Sequence, residues 1–156
     1  MGVEIRIQAA DFSLDEEWRA LRARVDNDTG AVAAFIGLVR DVGHEGPATL
    51  ELEHYPGMTE KSIAKIVDQA LERWRLTDVL VIHRVGKLAP AEQIVLVAVG
   101  SGHRAEAFAG CEFIMDFLKT DAVIWKKESG QRWLEATAKD IERASGWRQG
   151  ADKTLD

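Results

Sequence analysis

The chain has 156 residues, 46% of them hydrophobic and 29% charged, enough for one compact domain with a real core. Its formal net charge of −6 argues against nucleic acid as a partner, so any basic site has to be a local cluster on an acidic body. A single cysteine, Cys111, allows no intrachain disulfide and suits a reducing cytoplasm, and nothing reads as a signal peptide or a membrane span.

In chain order, Val3, Ile5 and Ile7 alternate with polar residues and predict a half-buried strand. Ser13 and Glu16 form a capping-box pattern ahead of Leu14, Trp18, Leu21 and Val25, which repeat at helical spacing. The small, β-branched run 31–39 predicts a buried strand, and a polar segment with two glycines follows over 41–47. Leu50 and Leu52 alternate with Glu51 and Glu53 as a second strand, Pro56-Gly57 marks a turn, and Ile63, Ile66, Val67, Ala70, Leu71 and Trp74 line one face of a helix. Runs 79–85 and 94–99 predict strands joined by a loop holding Gly86 and Pro90. Residues 103–118 read as a helix with Ser101 as its N-cap, then 122–125 and 132–134 as short strands around Ser129-Gly130. Beyond Ala136 one helical turn and a loose tail from Gly146 are expected. The order β-α-β-β-α-β-β-α-β-β favours a mixed α+β sandwich in one domain, residues 1–147, with 148–156 as a flexible tail.

Chemistry concentrates between Gly100 and Lys127. Gly100-Ser101-Gly102-His103-Arg104 lies where a strand hands over to a helix, a place where exposed N–H groups and the helix dipole favour an anion. Such a turn is more often plain geometry. Lys119, Lys126 and Lys127 fall within nine residues and could be ordinary solvated surface. The apolar stretch Ala122-Val123-Ile124-Trp125, however, makes Lys126 emerge beside a half-buried patch, where apolar walls and neighbouring cations lower a lysine pKa and fit it to act as a base. Arg40 leaves the 31–39 strand at its exit and either clamps an anion or marks the sheet edge. His54 reads as a structural turn residue and Cys111 as a small core residue. His44, His54, His83 and His103 have no metal-ligand spacing, and no phosphate-loop, dinucleotide or nucleophile-elbow motif occurs.

Six segments then occur together in order: Phe35-x-Gly37-x-Val39-Arg40, Leu52-Glu53-His54-Tyr55-Pro56-Gly57-Met58, His83-Arg84-Val85-Gly86, Ser101-Gly102-His103-Arg104, Phe113-Ile114-Met115-Asp116-Phe117-Leu118-Lys119 and Trp125-Lys126-Lys127-Glu128. From about Val3 to Trp147 the chain resembles the large, catalytic subunits of molybdopterin synthases. The resemblance implies an α/β hammerhead fold with a small antiparallel β subdomain, and a homodimer that binds two copies of a small ubiquitin-like sulfur carrier to form a heterotetramer. It implies sulfur transfer from the carrier's C-terminal thiocarboxylate to cyclic pyranopterin monophosphate, giving the dithiolene of molybdopterin, with no cofactor and no metal. Matched residue by residue, it implies Lys119 and Lys126 as catalytic and Val39, Arg40, His103, Arg104, Lys127 and Glu128 as substrate-binding. Lys119 is expected to do chemistry, and Lys126 to orient the carrier tail and the substrate.

Two departures from the family pattern carry expectations of their own. Val123 replaces a proline common in relatives and predicts a looser loop, and Thr137 replaces an arginine seen in some, removing one anion contact. Two other classes compete with this reading. One is a non-catalytic scaffold for a ubiquitin-like protein, which the lysines disfavour; the other is a phosphate-ester hydrolase at His103 and Arg104, which lacks a nucleophile and metal ligands.

Overall fold

A computed structural model of the chain describes residues 2–41, 49–128, 133–134 and 136–152. Most of the polar segment 41–47, the Ser129-Gly130 turn, Arg132 and the last four residues of the expected tail lie outside these, as does the side chain of Glu128. The elements run β1 (Gly2–Gln8), α1 (Leu14–Arg24), β2 (Ala31–Leu38), β3 (Leu50–His54), α2 (Met58–Arg73), β4 (Leu76–Arg84), β5 (Gly86–Leu88), β6 (Gln93–Ser101), α3 (Arg104–Leu118), β7 (Ile124–Glu128), β8 (Trp133–Leu134) and α4 (Ala138–Asp152).

The strands form two four-stranded sheets. The first has the order β1-β4-β6-β2 and is mixed, with β1 parallel to β4 and the other pairs antiparallel. Period-two alternation gives β4 two buried faces. Val79 and Val81 join the main core beneath α2 and α3, while Leu80 and Ile82 meet Leu21 of α1 and Phe12 on the other side. Helix α3 packs close to the sheet: a Cβ added at Gly110 would stand 3.1 Å from both methyls of Leu76 and 3.2 Å from Val99. The second sheet, β5-β3-β7-β8, is wholly antiparallel and surrounds a small core of Val39, Leu52 and Leu88. Ile94 and Ile124 touch both this core and the main one, so the two sheets meet through shared apolar contacts. This is the α+β arrangement with a small antiparallel subdomain that the sequence predicts. No helix among the described residues is long and apolar enough to cross a membrane.

Three local expectations need correction. Ser101 does not cap α3; it ends β6, and the N-cap is His103. The Ser101 hydroxyl is drawn instead to the Arg75 carbonyl at 2.9 Å and the Glu106 carboxylate at 3.1 Å. The loop holding Gly86 contains β5, three residues whose extended form depends on pairing with β3. Most consequential, the chain after Ala136 forms a 15-residue helix, α4, where one turn and a loose tail are predicted. Its composition is polar, and tertiary contacts hold it rather than a long apolar stripe. Ala144 is fully buried, and the Trp147 ring lies edge-on to Trp74 and Phe113 at 5.5 and 5.6 Å. Trp147 Nε1 donates to Asp116 at 2.7 Å, Arg143 donates to Asp116 and Glu112, and Arg148 reaches Asp121 at 3.0 Å. Trp147→Ala should therefore cost about 3 kcal/mol by loss of aromatic packing and of one Asp116 partner, read as a lower denaturant midpoint.

Candidate active site

The site begins with a backbone constraint. Thr59 and Ser62 lie in the first turn and a half of α2, and both hydroxyls reach the peptide of Val123. Thr59 Oγ1 donates to the Val123 carbonyl at 2.6 Å, and the Val123 N–H donates to Ser62 Oγ at 3.1 Å. Thr59 is fully buried and also accepts from the Tyr55 N–H at 2.9 Å. The Val123 segment is thus fastened from both sides, contrary to the looser loop expected there. Proline could not make the second bond, because it has no N–H. From this anchor the chain enters β7, where Ile124 pairs with His54 and Lys126 with Leu52. Alternation then turns Ile124 and Lys126 toward the interior and leaves Trp125 exposed.

Lys126 borders a cavity of about 600 Å³ between the end of α3 and the second sheet. Val39 and Arg40 at the exit of β2, Lys119 at the C-cap of α3, and His83 at the end of β4 line it as well. Leu38, Leu50, Ile94, Met115, Leu118 and Ile124 give the walls their apolar character. Val39 is buried and fixed by its backbone, its N–H donating to Glu92 O at 2.9 Å and its carbonyl accepting from Ala91 at 2.8 Å. Burial first, and then the like charge of Lys119, lower the Lys126 pKa from 10.5 to about 8, against a smaller opposing effect of Asp140. A lysine in that range exchanges a proton easily near neutral pH.

The remaining predicted residues are elsewhere. His103 and Arg104 are exposed at the N-terminal end of α3, whereas Lys119 caps its C-terminal end. At 1.5 Å per residue the helix separates them by about 22 Å. The basic pocket pictured from sequence as one cluster is therefore split in the single chain. Lys127 neighbours Lys126 on β7 and does not line the cavity. The lining residues that the sequence reading did not assign to the site include His83, Thr137 and Asp140. His83 had a signal, a histidine inside an otherwise apolar strand. So did the other two: Thr137-x-x-Asp140 is a capping pattern, and the Asp140 N–H donates to Thr137 Oγ1 at 3.1 Å. Cys111 is buried as predicted, with its thiol 3.7 Å from the Val97 carbonyl and its pKa pushed up to about 11 by desolvation.

The buried lysine has a thermodynamic signature. Between pH 8 and 10.5 the unfolded chain holds the Lys126 proton and the folded one does not. The Lys126 contribution to stability therefore rises with pH across that window, opposed above pH 9 by the Cys111 thiol that folding keeps protonated. Lys126→Met abolishes this slope. It should be more stable than the wild type by about 3 kcal/mol below pH 8, an advantage that fades to nothing above pH 10.5 in paired denaturation curves.

The sequence and the fold have close counterparts. The profile of the MoaE protein family matches residues 7–121. The molybdopterin synthase catalytic subunit of Ralstonia nicotianae is 59% identical over 147 residues, covering 92% of this chain and 83% of the relative. The solved molybdopterin biosynthesis MoaE protein from Burkholderia ambifaria superposes with a TM-score of 0.81 at 50% identity, over 93% of this chain and 97% of that one. The molybdopterin synthase structure from Staphylococcus aureus follows at 0.73 and 32%, over 82% and 94%. With a profile spanning most of its length and relatives this similar, the chain belongs to the MoaE protein family.

Proposed function

We propose that this chain is the cytoplasmic catalytic subunit that moves sulfur from the C-terminal thiocarboxylate of a small ubiquitin-like carrier to cyclic pyranopterin monophosphate, forming the dithiolene of molybdopterin. One observation carries the proposal: Lys119 and Lys126 share an apolar-walled cavity with Arg40 and Val39, and burial has brought Lys126 to a pKa near 8. An anionic substrate is held by Arg40 and the lysines, whose charge acts strongly in a site largely cleared of water. The thiocarboxylate sulfur attacks a pterin side-chain carbon and displaces the phosphate oxygen there, opening the cyclic phosphate. Water then cuts the acyl–sulfur bond, which leaves sulfur on the pterin and a carboxylate on the carrier. A second carrier repeats the transfer at the neighbouring carbon, whose oxygen leaves as water, to complete the dithiolene. Lys119 steadies the negative charge that develops on the acyl oxygen. Lys126, besides orienting tail and substrate, takes the proton of the attacking water; at pH 7 about a tenth of it is neutral.

His103 and Arg104 fit this scheme as donors to the cavity of a second copy. Both are exposed at the positive end of α3, too far from their own chain's lysines to share a ligand with them. In a two-fold dimer each chain then gives lysines to one site and the His103-Arg104 pair to the other. Lys127 and Glu128, which follow Lys126 on β7, are kept in this proposal as substrate-binding residues.

Single-turnover assays with thiocarboxylated carrier and precursor test the chemistry. Lys119→Ala should still bind carrier but form product at least about 100-fold more slowly. Full activity in that variant would sink the assignment, carrier binding without product in the wild type would favour a scaffold, and phosphate release without sulfur transfer a hydrolase. Sharing of the site predicts complementation. Lys119→Ala and Arg104→Ala chains, each inactive alone, should regain about a quarter of wild-type activity once unfolded together and reassembled, since half the dimers then hold one intact site. A mixture as inactive as its components would mean that each chain completes its own site.

A further inference from the structure

His83 is a buried cavity residue with no part in the scheme above. It ends the run Val79, Val81, His83 on the β4 face that packs under the helices, and it is only 6% exposed. Its backbone neighbours across the sheet are Ile7 and Val95, so the ring sits in an apolar row where a polar group has to be accounted for. Nδ1 lies 2.8 Å from the Arg84 carbonyl oxygen. A carbonyl only accepts, so Nδ1 carries the proton and Nε2 keeps a lone pair. No described residue bonds Nε2, although the ring borders the cavity. A histidine kept for structure alone would have both nitrogens used.

The surroundings indicate what Nε2 is for. Arg40, Lys119 and Lys126 can only donate hydrogen bonds when charged, and the Asp140 carboxylate acts on Lys126. A ligand bound through its anionic end to these cations therefore meets in His83 a buried neutral acceptor on the inner wall. We propose that His83 is a substrate-orienting residue: its Nε2 accepts a hydrogen bond from a ring N–H of the fused heterocycle whose anionic end rests on Arg40 and the lysines. The proposal rests on the sulfur-transfer reading and adds to it the group that reads the heterocycle. Desolvation, reinforced by the nearby charges of Lys126, Lys119 and His54 and opposed by the Arg84 carbonyl, holds the imidazole pKa at about 4. The ring thus stays a neutral acceptor beside two lysines, where an imidazolium would repel them.

Two near-isosteric variants separate orientation from architecture. His83→Asn keeps an amide N–H for the Arg84 carbonyl but ends short of Nε2, whereas His83→Gln places an amide oxygen close to the Nε2 position. His83→Asn should raise the KM for the pterin substrate about tenfold, which corresponds to about 1.4 kcal/mol, with kcat and the KM for carrier within about twofold of wild type. His83→Gln should restore most of the loss. A wild-type KM in His83→Asn, equal increases in both variants, or parallel increases for pterin and carrier would each overturn the proposal. The unmutated protein offers a test free of folding defects. On titration with the pterin substrate the ¹⁵N resonance of His83 Nε2 should move upfield, as for a lone pair that gains a hydrogen bond; an unmoved resonance at saturation would overturn the idea. Wild-type protein that forms no product would instead dispose of the sulfur-transfer reading, so the two failures can be told apart.

Discussion

Everything in the cavity depends on the peptide of Val123 being held between two hydroxyls of α2. That contact decides where β7 begins, and the register of β7 against β3 decides that Lys126, not Lys127, turns inward opposite Leu52. A slip of one residue would exchange the two lysines between interior and solvent. The anchoring hydroxyls gain strength from burial, since a fully buried Thr59 with both its bonds made has no better alternative in water. Helix α2 thus acts as a jig for the active strand although it contributes no residue to the cavity wall.

The same geometry reconciles an acidic chain with an anionic ligand. Net charge governs the far field, which salt screens within about 10 Å. Inside the cavity the walls of Leu50, Ile94, Met115 and Ile124 lower the local polarity, and a few cations dominate there. Lysine is suited to such a place because its pKa yields to burial, whereas arginine keeps its charge. Arg40 accordingly sits at the exposed exit of β2, and the lysine that gives way lies deeper.

Where period and composition act locally, the fold was legible from the residues. Alternation marked β1 and β3, apolar runs marked β2, β4 and β6, and helical spacing marked α1, α2 and α3. Helix α4 eluded that test: it is polar around most of its circumference and is held by Trp147, Arg143 and Arg148 reaching back to α3 and to Asp121 just beyond it, contacts between residues about 30 apart in sequence. Its start was nevertheless encoded in Thr137 and Asp140. For the site, Lys126 was legible through its apolar neighbours, while its closeness to Lys119 required the turn after α3 and the Val123 anchor together. The distance of His103 and Arg104 from the lysines follows from helix length alone, and clustering them in sequence concealed it. His83 was visible as a polar residue in a buried strand, but the tautomer that makes it an acceptor depends on the Arg84 carbonyl, which only coordinates reveal.

Cys111 carries a last consequence. It is the sole thiol of the chain, it is buried against Val97, and desolvation keeps it protonated far above neutral pH. Enzymes that relay sulfur through their own side chains do so as a persulfide, which requires an accessible thiolate. This chain has none, so sulfur arriving at the cavity has no resting place on the polypeptide. It must pass from donor to acceptor in direct contact, and the timing of delivery then belongs to docking of the donor rather than to any stored charge of sulfur on the enzyme.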